Sequence, residues 1–149
     1  MIVSTKTRYA IRMLADISVY QDSGKVKIKD ISSRQDISTK YLEQIVTILS
    51  KNGIVKGERG PQGGYKLTRP ASDITVAEIV RLIEGDLLPG SDSNGDEKGR
   101  DRWSELEMWA DIDRAVTEIM SRTTIQDVLD DAVSKGIMKI HSRMPEYYI

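Results

Sequence analysis

Two stretches of this sequence hold residues whose types and spacing suit chemistry. Ser38-Thr39-Lys40-Tyr41 opens a segment in which Glu43 and Gln44 alternate with the apolar Leu42, Ile45, Val46 and Leu49. Further on, Lys56-Gly57-Glu58-Arg59-Gly60-Pro61-Gln62-Gly63-Gly64 sets two cations among four glycines and a proline. Hydroxyls and the amides of a helix start hold phosphate, glutamine pairs with the edge of adenine, and glutamate accepts from cytosine N4. An arginine on a pliable tip suits a minor groove or a phosphate. Covalent chemistry has almost nothing to work with. There is no cysteine and a single histidine, His141, so thiolate nucleophiles, Cys-ligated zinc or iron–sulfur clusters and histidine triads are all excluded. The run GPQGG at 60–64 imitates a phosphate loop but lacks its Lys-Ser/Thr ending. The expectation is a binding protein and not an enzyme, with no cofactor and no metal site.

The chain has 149 residues, of which 39% are apolar and 30% charged, enough for one domain with an appended element and a well-solvated surface. No run approaches the roughly 18 apolar residues that span a bilayer. The opening MIVSTKTRYA lacks the apolar stretch of a signal peptide, so a cytoplasmic location is expected. The net charge of −1 conceals a division. Residues 1–70 carry 13 Lys/Arg against 6 Asp/Glu (+7), and residues 71–149 carry 9 against 17 (−8). A basic half that meets a polyanion explains this, as does a chance partition of solvated charge.

These residues must be positioned by helices and a hairpin. The spacing predicts a helix over 6–20 with Thr5 as N-cap and Ala10, Ile11, Leu14, Ile17 and Val19 inward. Val26-Lys27-Ile28 reads as a very short strand, and 30–35 as a short helix with Ile31 inward. Ser38 caps a helix over 39–51 that Asn52-Gly53 ends. Ile54-Val55 and Tyr65-Lys66-Leu67 read as strands flanking the glycine-rich tip. Thr75 and Glu78 form a capping box for a helix over 76–84, stopped by Gly85. Residues 86–102 read as a linker. Ser104 and Glu107 form a second box, opening a helix to 122 with Leu106, Trp109, Ile112, Val116, Ile119 and Met120 on one side. Thr123 with Gln126 is expected to cap a last helix over 125–134. Two short helices, a tight turn and a basic glycine-rich hairpin make a winged helix-turn-helix, because a major groove about 12 Å wide admits one helix beside a close-approaching tip. The predicted fold is mainly α with a small β wing (α+β). It comprises a DNA-binding domain at 1–86, an acidic loop at 87–103, and a dimerisation helix with the C-terminal region at 104–149.

The run YLEQIVTILSKNGIVKGERGPQGGYKL at 41–67 closely resembles the bacterial winged-helix regulators that include IscR, NsrR and CymR. STKTRYAIRML at 4–14 and ITVAEIVRLIEGD at 74–86 match the same family, and WADIDRAVTEI at 109–119 does so more loosely. The resemblance implies a homodimeric regulator, of repressor type, that binds near-palindromic double-stranded DNA. It places Ser38, Thr39, Lys40, Tyr41, Glu43 and Gln44 at the major groove, with Tyr41 equally suited to core packing. It places Arg59, Gly60, Pro61, Gln62 and Gly63 at the wing contact, and Lys6, Arg8 and Tyr9 as flanking contacts. It implies pairing of two chains through Leu106, Trp109, Ile112, Val116, Ile119 and Met120, against the alternative that this stripe packs on the first helix.

Many members of the family hold an iron–sulfur cluster with three cysteines in the loop before the dimer helix. Here that loop offers Ser91, Asp92, Ser93, Asp96 and Glu97, and the last cysteine position aligns near Trp103. Oxygen ligands of this kind suit hard cations at best, and a solvated acidic loop is the plainer reading. The cysteine-free state and the C-terminal Glu146-Tyr147-Tyr148-Ile149 resemble the cysteine-metabolism repressor type, CymR. That type responds through a partner enzyme, a cysteine synthase, that captures the tail or a nearby surface. Control by a small-molecule effector is the other cluster-free alternative, and an ordinary frayed or packed tail is the plain one.

Overall fold

The computed structural model describes residues 3–61, 63–85 and 106–139. At its centre lies α1 (Thr5–Tyr20), on which Ala10, Met13, Leu14 and Ile17 are fully buried. The helix starts one residue before the predicted point. Ser4 is extended (φ −66°, ψ 159°) and its hydroxyl accepts the Thr7 amide at 3.2 Å, so Ser4 and not Thr5 is the cap. Ile11 and Val19, expected inward, are half-buried at the margin of the core.

After α1 the chain makes a 3₁₀ turn, then α2 (Ile28–Gln35) and α3 (Thr39–Lys51). Val26 forms a single antiparallel bridge with Tyr65 (N–O distances 2.9 and 2.8 Å), whereas Ile28 already belongs to α2, two residues before the predicted start. The α2–α3 turn pivots on Asp36, which adopts φ 54°, a left-handed conformation that Asp tolerates better than most side chains. Ser38 then caps α3 as expected, accepting the Tyr41 amide at 3.2 Å. Leu42, Ile45, Val46 and Leu49 bury its inner stripe. The helix stops at Asn52, whose side-chain amide donates to the Ile48 carbonyl, and Gly53 turns away with φ 70°.

β1 (Val55–Glu58) and β2 (Gly64–Leu67) form an antiparallel hairpin in the register Val55↔Leu67, Lys56↔Lys66, Gly57↔Tyr65 and Glu58↔Gly64. The strands reach further into the tip than the sequence suggests. α4 (Val76–Glu84) begins at Thr75, whose hydroxyl accepts the Glu78 amide, and ends at Gly85 with φ 82°. The box is one-sided, since the Glu78 carboxylate pairs with Arg69.

α5 (Glu107–Arg122) begins later than expected. Leu106 is still extended (φ −65°, ψ 133°) and supplies no side-chain cap, while Ser104 lies outside the described residues. α6 (Ile125–Ser134) is capped by Thr124 and Asp127 in a complete capping box, one position beyond the predicted Thr123 and Gln126. The shift has a cause. The Thr123 hydroxyl donates back to the Ile119 carbonyl at 2.7 Å and closes α5 instead. Reciprocal bonds, Val76 amide to Thr123 carbonyl and Ile125 amide to Ile74 carbonyl, lock the starts of α4 and α6 side by side. Ile125 and Leu129 thereby enter the same core as Leu14 and Ile45. Among the described residues no helix is long and apolar enough to cross a membrane.

Candidate nucleic-acid interface

The outer side of α3 and the wing stand on the outside of this core. Ser38, Thr39, Lys40, Glu43 and Gln44 are exposed, because each falls opposite Leu42, Ile45 and Leu49. Tyr41 is half-buried, its ring meeting Tyr9 of α1 edge-on (centroids 5.5 Å apart, 81° between planes). The packing alternative for Tyr41 is thus partly realised, and the contact brings Tyr9 beside the first turn of α3. Lys6 is half-buried. Arg8 is exposed and lines a groove with Ile119 and Met120.

The wing is shaped by backbone crowding. Gly63 donates to the Gly60 carbonyl at 2.8 Å, and a Cβ at Gly63 would collide with the carbonyl oxygens of Glu58 and Gly60. Gly64 sits at φ 148° and a side chain there would meet the Val26 carbonyl oxygen at 2.6 Å. Arg59, Gly60 and Pro61 form the exposed tip, and Gln62 lies outside the described residues. Arg59 has no ion pair among the described residues. At the tip end of β1, Lys25 pairs with Glu58 and fixes the hairpin to the α1–α2 connection.

One pair escaped the sequence reading. The register sets Lys56 directly against Lys66, both exposed. Like charges facing across a hairpin disfavour the fold, and a polyanion laid along the wing relieves that cost. The signal was absent from the sequence because pairing partners depend on the hairpin register.

An ionic cluster around one buried carboxylate holds α2 on α1. Asp16 is fully buried. It accepts Arg34 at both oxygens (Nε to Oδ2 3.0 Å, Nη2 to Oδ1 2.7 Å) and Gln35 Nε2 at 3.0 Å. The hydrogen bond to Asp16 raises the Arg34 guanidinium above its ordinary pKa. The guanidinium also stacks 3.7 Å from the centre of the Tyr20 ring. Gln35 in turn receives Arg12, through its side-chain oxygen and its carbonyl. An acid amid the apolar residues of the first helix was the available sign, but charge within an amphipathic helix usually means a wet face.

The predicted pairing residues form an exposed apolar surface. Leu106, Trp109, Ile112 and Ile119 are each 44–53% exposed, Met108 joins them at 50%, and Val116 and Met120 are half-buried. α5 has no buried residue at all.

Comparison with known proteins decides what this arrangement belongs to. Residues 3–131 match the model of Rrf2, described as an iron-dependent transcriptional regulator. The chain belongs to the Rrf2 family. It is 35% identical over 131 residues to the HTH-type transcriptional regulator IscR of Photorhabdus laumondii, which covers 87% of this chain and 79% of that one. Among solved structures, CymR of B. subtilis, the global cysteine regulator, superposes with a TM-score of 0.74 at 31% identity, covering 88% of this chain and 98% of that one. IscR of T. potens superposes with a TM-score of 0.72 at 32% identity, covering 93% of each. This Rrf2 protein is therefore a DNA-binding transcriptional regulator with a winged-helix α+β fold, and its relatives are regulators and not enzymes.

The family description speaks of iron, and the donor set of this member does not fit an iron–sulfur cluster. Such clusters are held by cysteine thiolates, and the sequence contains none. Among the described residues no three His, Asp or Glu side chains gather as metal ligands. The acidic positions of the loop, Trp103, His141 and the tail at 146–149 lie outside the described residues.

Proposed function

We propose that this Rrf2 protein is a homodimeric, sequence-specific repressor that binds a near-palindromic operator without an iron–sulfur cluster and acts in the cytoplasm. The observation that carries the reading is the single exposed edge made of Ser38, Thr39, Lys40, Glu43 and Gln44, with the Arg59 wing beyond it. Ser38, Thr39 and Lys40 hold phosphate and set the register of α3. Gln44 and Glu43 read base edges, Tyr41 braces them against Tyr9, and Arg59 enters the minor groove or meets its phosphates. Gly60, Pro61 and Gly63 set the tip, Gln62 adds a polar contact, and Lys6, Arg8, Lys56 and Lys66 add phosphate contacts. A second copy covers Leu106, Trp109, Ile112, Val116, Ile119 and Met120, which as an apolar patch calls for a partner. Selection of bound duplexes from genomic fragments tests this. The expected result is a two-fold-related motif whose half-sites lie about one helical turn apart or a multiple of it. Fragments retained without sequence preference, even at low ionic strength, would end the proposal.

A second reading concerns control. The similarity to CymR and the absence of cysteine favour a regulator governed by a partner enzyme such as a cysteine synthase. Removing residues 146–149 should then abolish the complex with that enzyme and leave operator affinity unchanged.

A further inference from the structure

We propose that the cleft between α1, the end of α2 and α6 binds a small apolar carboxylate, and that its occupation weakens operator binding. The second half of this statement rests on the DNA-binding reading above; the first does not.

The cleft has a volume of about 250 Å3. Arg12, Arg34 and Gln35 line one side, and Val128, Ala132 and Met138 the other. That size lies below the usual range of small-molecule sites and suits a ligand of about ten non-hydrogen atoms. The charges are unequal. Arg34 is neutralised by Asp16, whereas Arg12 meets only the neutral Gln35 and the face of Tyr9, 5.2 Å away, and has no ion pair among the described residues. The cleft therefore carries one uncompensated positive charge beside a hydrocarbon wall. Each guanidinium has five N–H donors, and the contacts described occupy only some of them. A carboxylate matches the fork of Arg12, and an apolar body matches Val128, Ala132 and Met138. A hydrocarbon wall gives a ribose or a second phosphate no polar partner, so a nucleotide does not suit this site.

Occupation reaches the DNA-binding edge by contact. Arg12 ties Gln35, the last residue of α2, to α1, and Gln35 shares Asp16 with Arg34. Arg12 also lies over Tyr9, and Tyr9 packs edge-on against Tyr41 in the first turn of α3. A carboxylate that draws Arg12 into the cleft loosens both connections, and linkage requires bound operator to weaken the ligand by the same factor.

The test uses the full chain and hexanoate, hexan-1-ol and hexylamine, which share a tail and differ in head group. By calorimetry hexanoate should bind saturably and at least about tenfold tighter than either of the others. Arg12→Gln should remove that advantage, and Ala132→Phe, which fills the cleft, should remove binding while keeping the melting temperature and operator affinity. Hexanoate binding no better than hexanol, or indifferent to both substitutions, overturns the site. Coupling is read separately. Saturating hexanoate should weaken operator binding by about fivefold or more, and Ala132→Phe should be insensitive to it. Unchanged operator affinity with hexanoate bound overturns the coupling alone. Failure to find any operator would strike the proposed function, and the calorimetry would still decide the site.

Discussion

α3 carries Leu42, Ile45, Val46 and Leu49 along one side, and all four are buried against the rest of the chain. α5, three residues longer, carries Trp109, Ile112, Val116, Ile119 and Met120 along one side and buries none of them. Both helices segregate apolar from polar residues, so both need a surface to cover the stripe. For α3 that surface is α1 together with α2 and β1, with α2 fastened to α1 by the Asp16–Arg34 bonds. For α5 the described residues cover the stripe only in part, at Val116 and Met120, and leave Trp109, Ile112 and Ile119 exposed. Amphipathic spacing thus reports that a helix needs a partner, and says nothing about whether the partner lies in the same chain.

The sharpest way to break the comparison is to charge the uncovered stripe. Ile112→Asp combined with Ile119→Asp should turn the proposed dimer into a monomer in sedimentation. Losing the linked second half-site should weaken operator binding by roughly 10²–10⁴. The monomer should remain folded, since neither side chain belongs to the core. An unchanged sedimentation coefficient would mean that α5 is not the pairing surface.

The complementary change strikes the covered stripe. Leu42→Ala should cost about 2–5 kcal/mol in urea unfolding, the usual penalty for a buried leucine. It should lower the melting temperature by a similar amount at every protein concentration, because it leaves the proposed pairing surface on α5 intact. A loss below about 1 kcal/mol would mean that the region around α3 collapses around the cavity, and the contrast drawn between the two helices would weaken.

How much of this was legible follows the same division. The caps at Ser38 and Thr75, the stop at Gly53 and the stripe of α3 were readable because each is set by residues within one or two turns. The cap of α6 was misplaced by one residue because Thr123 and Thr124 are adjacent and both can cap. The first bonds back to Ile119 and closes α5, the second opens α6, and the tertiary bonds Val76 to Thr123 and Ile125 to Ile74 fix the junction between them. Val26 looked like a strand, but it makes only one bridge before helix packing takes Ile28. Asp16 and the Lys56–Lys66 pair were invisible for a stronger reason. Their significance depends on partners 18 and 10 residues away, Arg34 and the facing strand. Of the candidate interface, the exposure of Ser38, Thr39, Lys40, Glu43 and Gln44 was readable from the apolar stripe opposite them, whereas the contacts from Arg12 through Tyr9 to Tyr41 required the packing of α1 on α3.

Within the exposed edge of α3 and the wing, two substitutions separate reading from holding. Gln44→Ala should cost about 1–3 kcal/mol on the preferred operator and little on unrelated duplex, relaxing specificity. Arg59→Ala should weaken both duplexes nearly equally and reduce the slope of log affinity against log salt by about one. Equal losses on all duplexes for Gln44→Ala would place it among the phosphate contacts.

The smallest effect lies at the joint between α4 and α1. Glu84, in the last turn of α4, accepts the Ser4 amide at 2.9 Å and the Thr7 hydroxyl at 2.6 Å, fastening the start of α1. Hydrogen bonding from the Ser4 side chain, then from the Thr7 hydroxyl and the Ser4 amide, holds its carboxyl below the ordinary value of 4.5. A carboxyl lowered in the folded state adds stability that is present above its unfolded pKa and lost as pH falls through the folded value. Glu84→Gln keeps the shape and removes the charge, so it should lower the urea midpoint at pH 7. The group is exposed, which keeps the difference below about 1 kcal/mol. The gap between the two proteins should be constant from pH 6 to pH 8 and close below about pH 4.5. A gap that persisted in acid would show that packing, and not the charged hydrogen bonds, is what Glu84 contributes to the joint between α4 and α1.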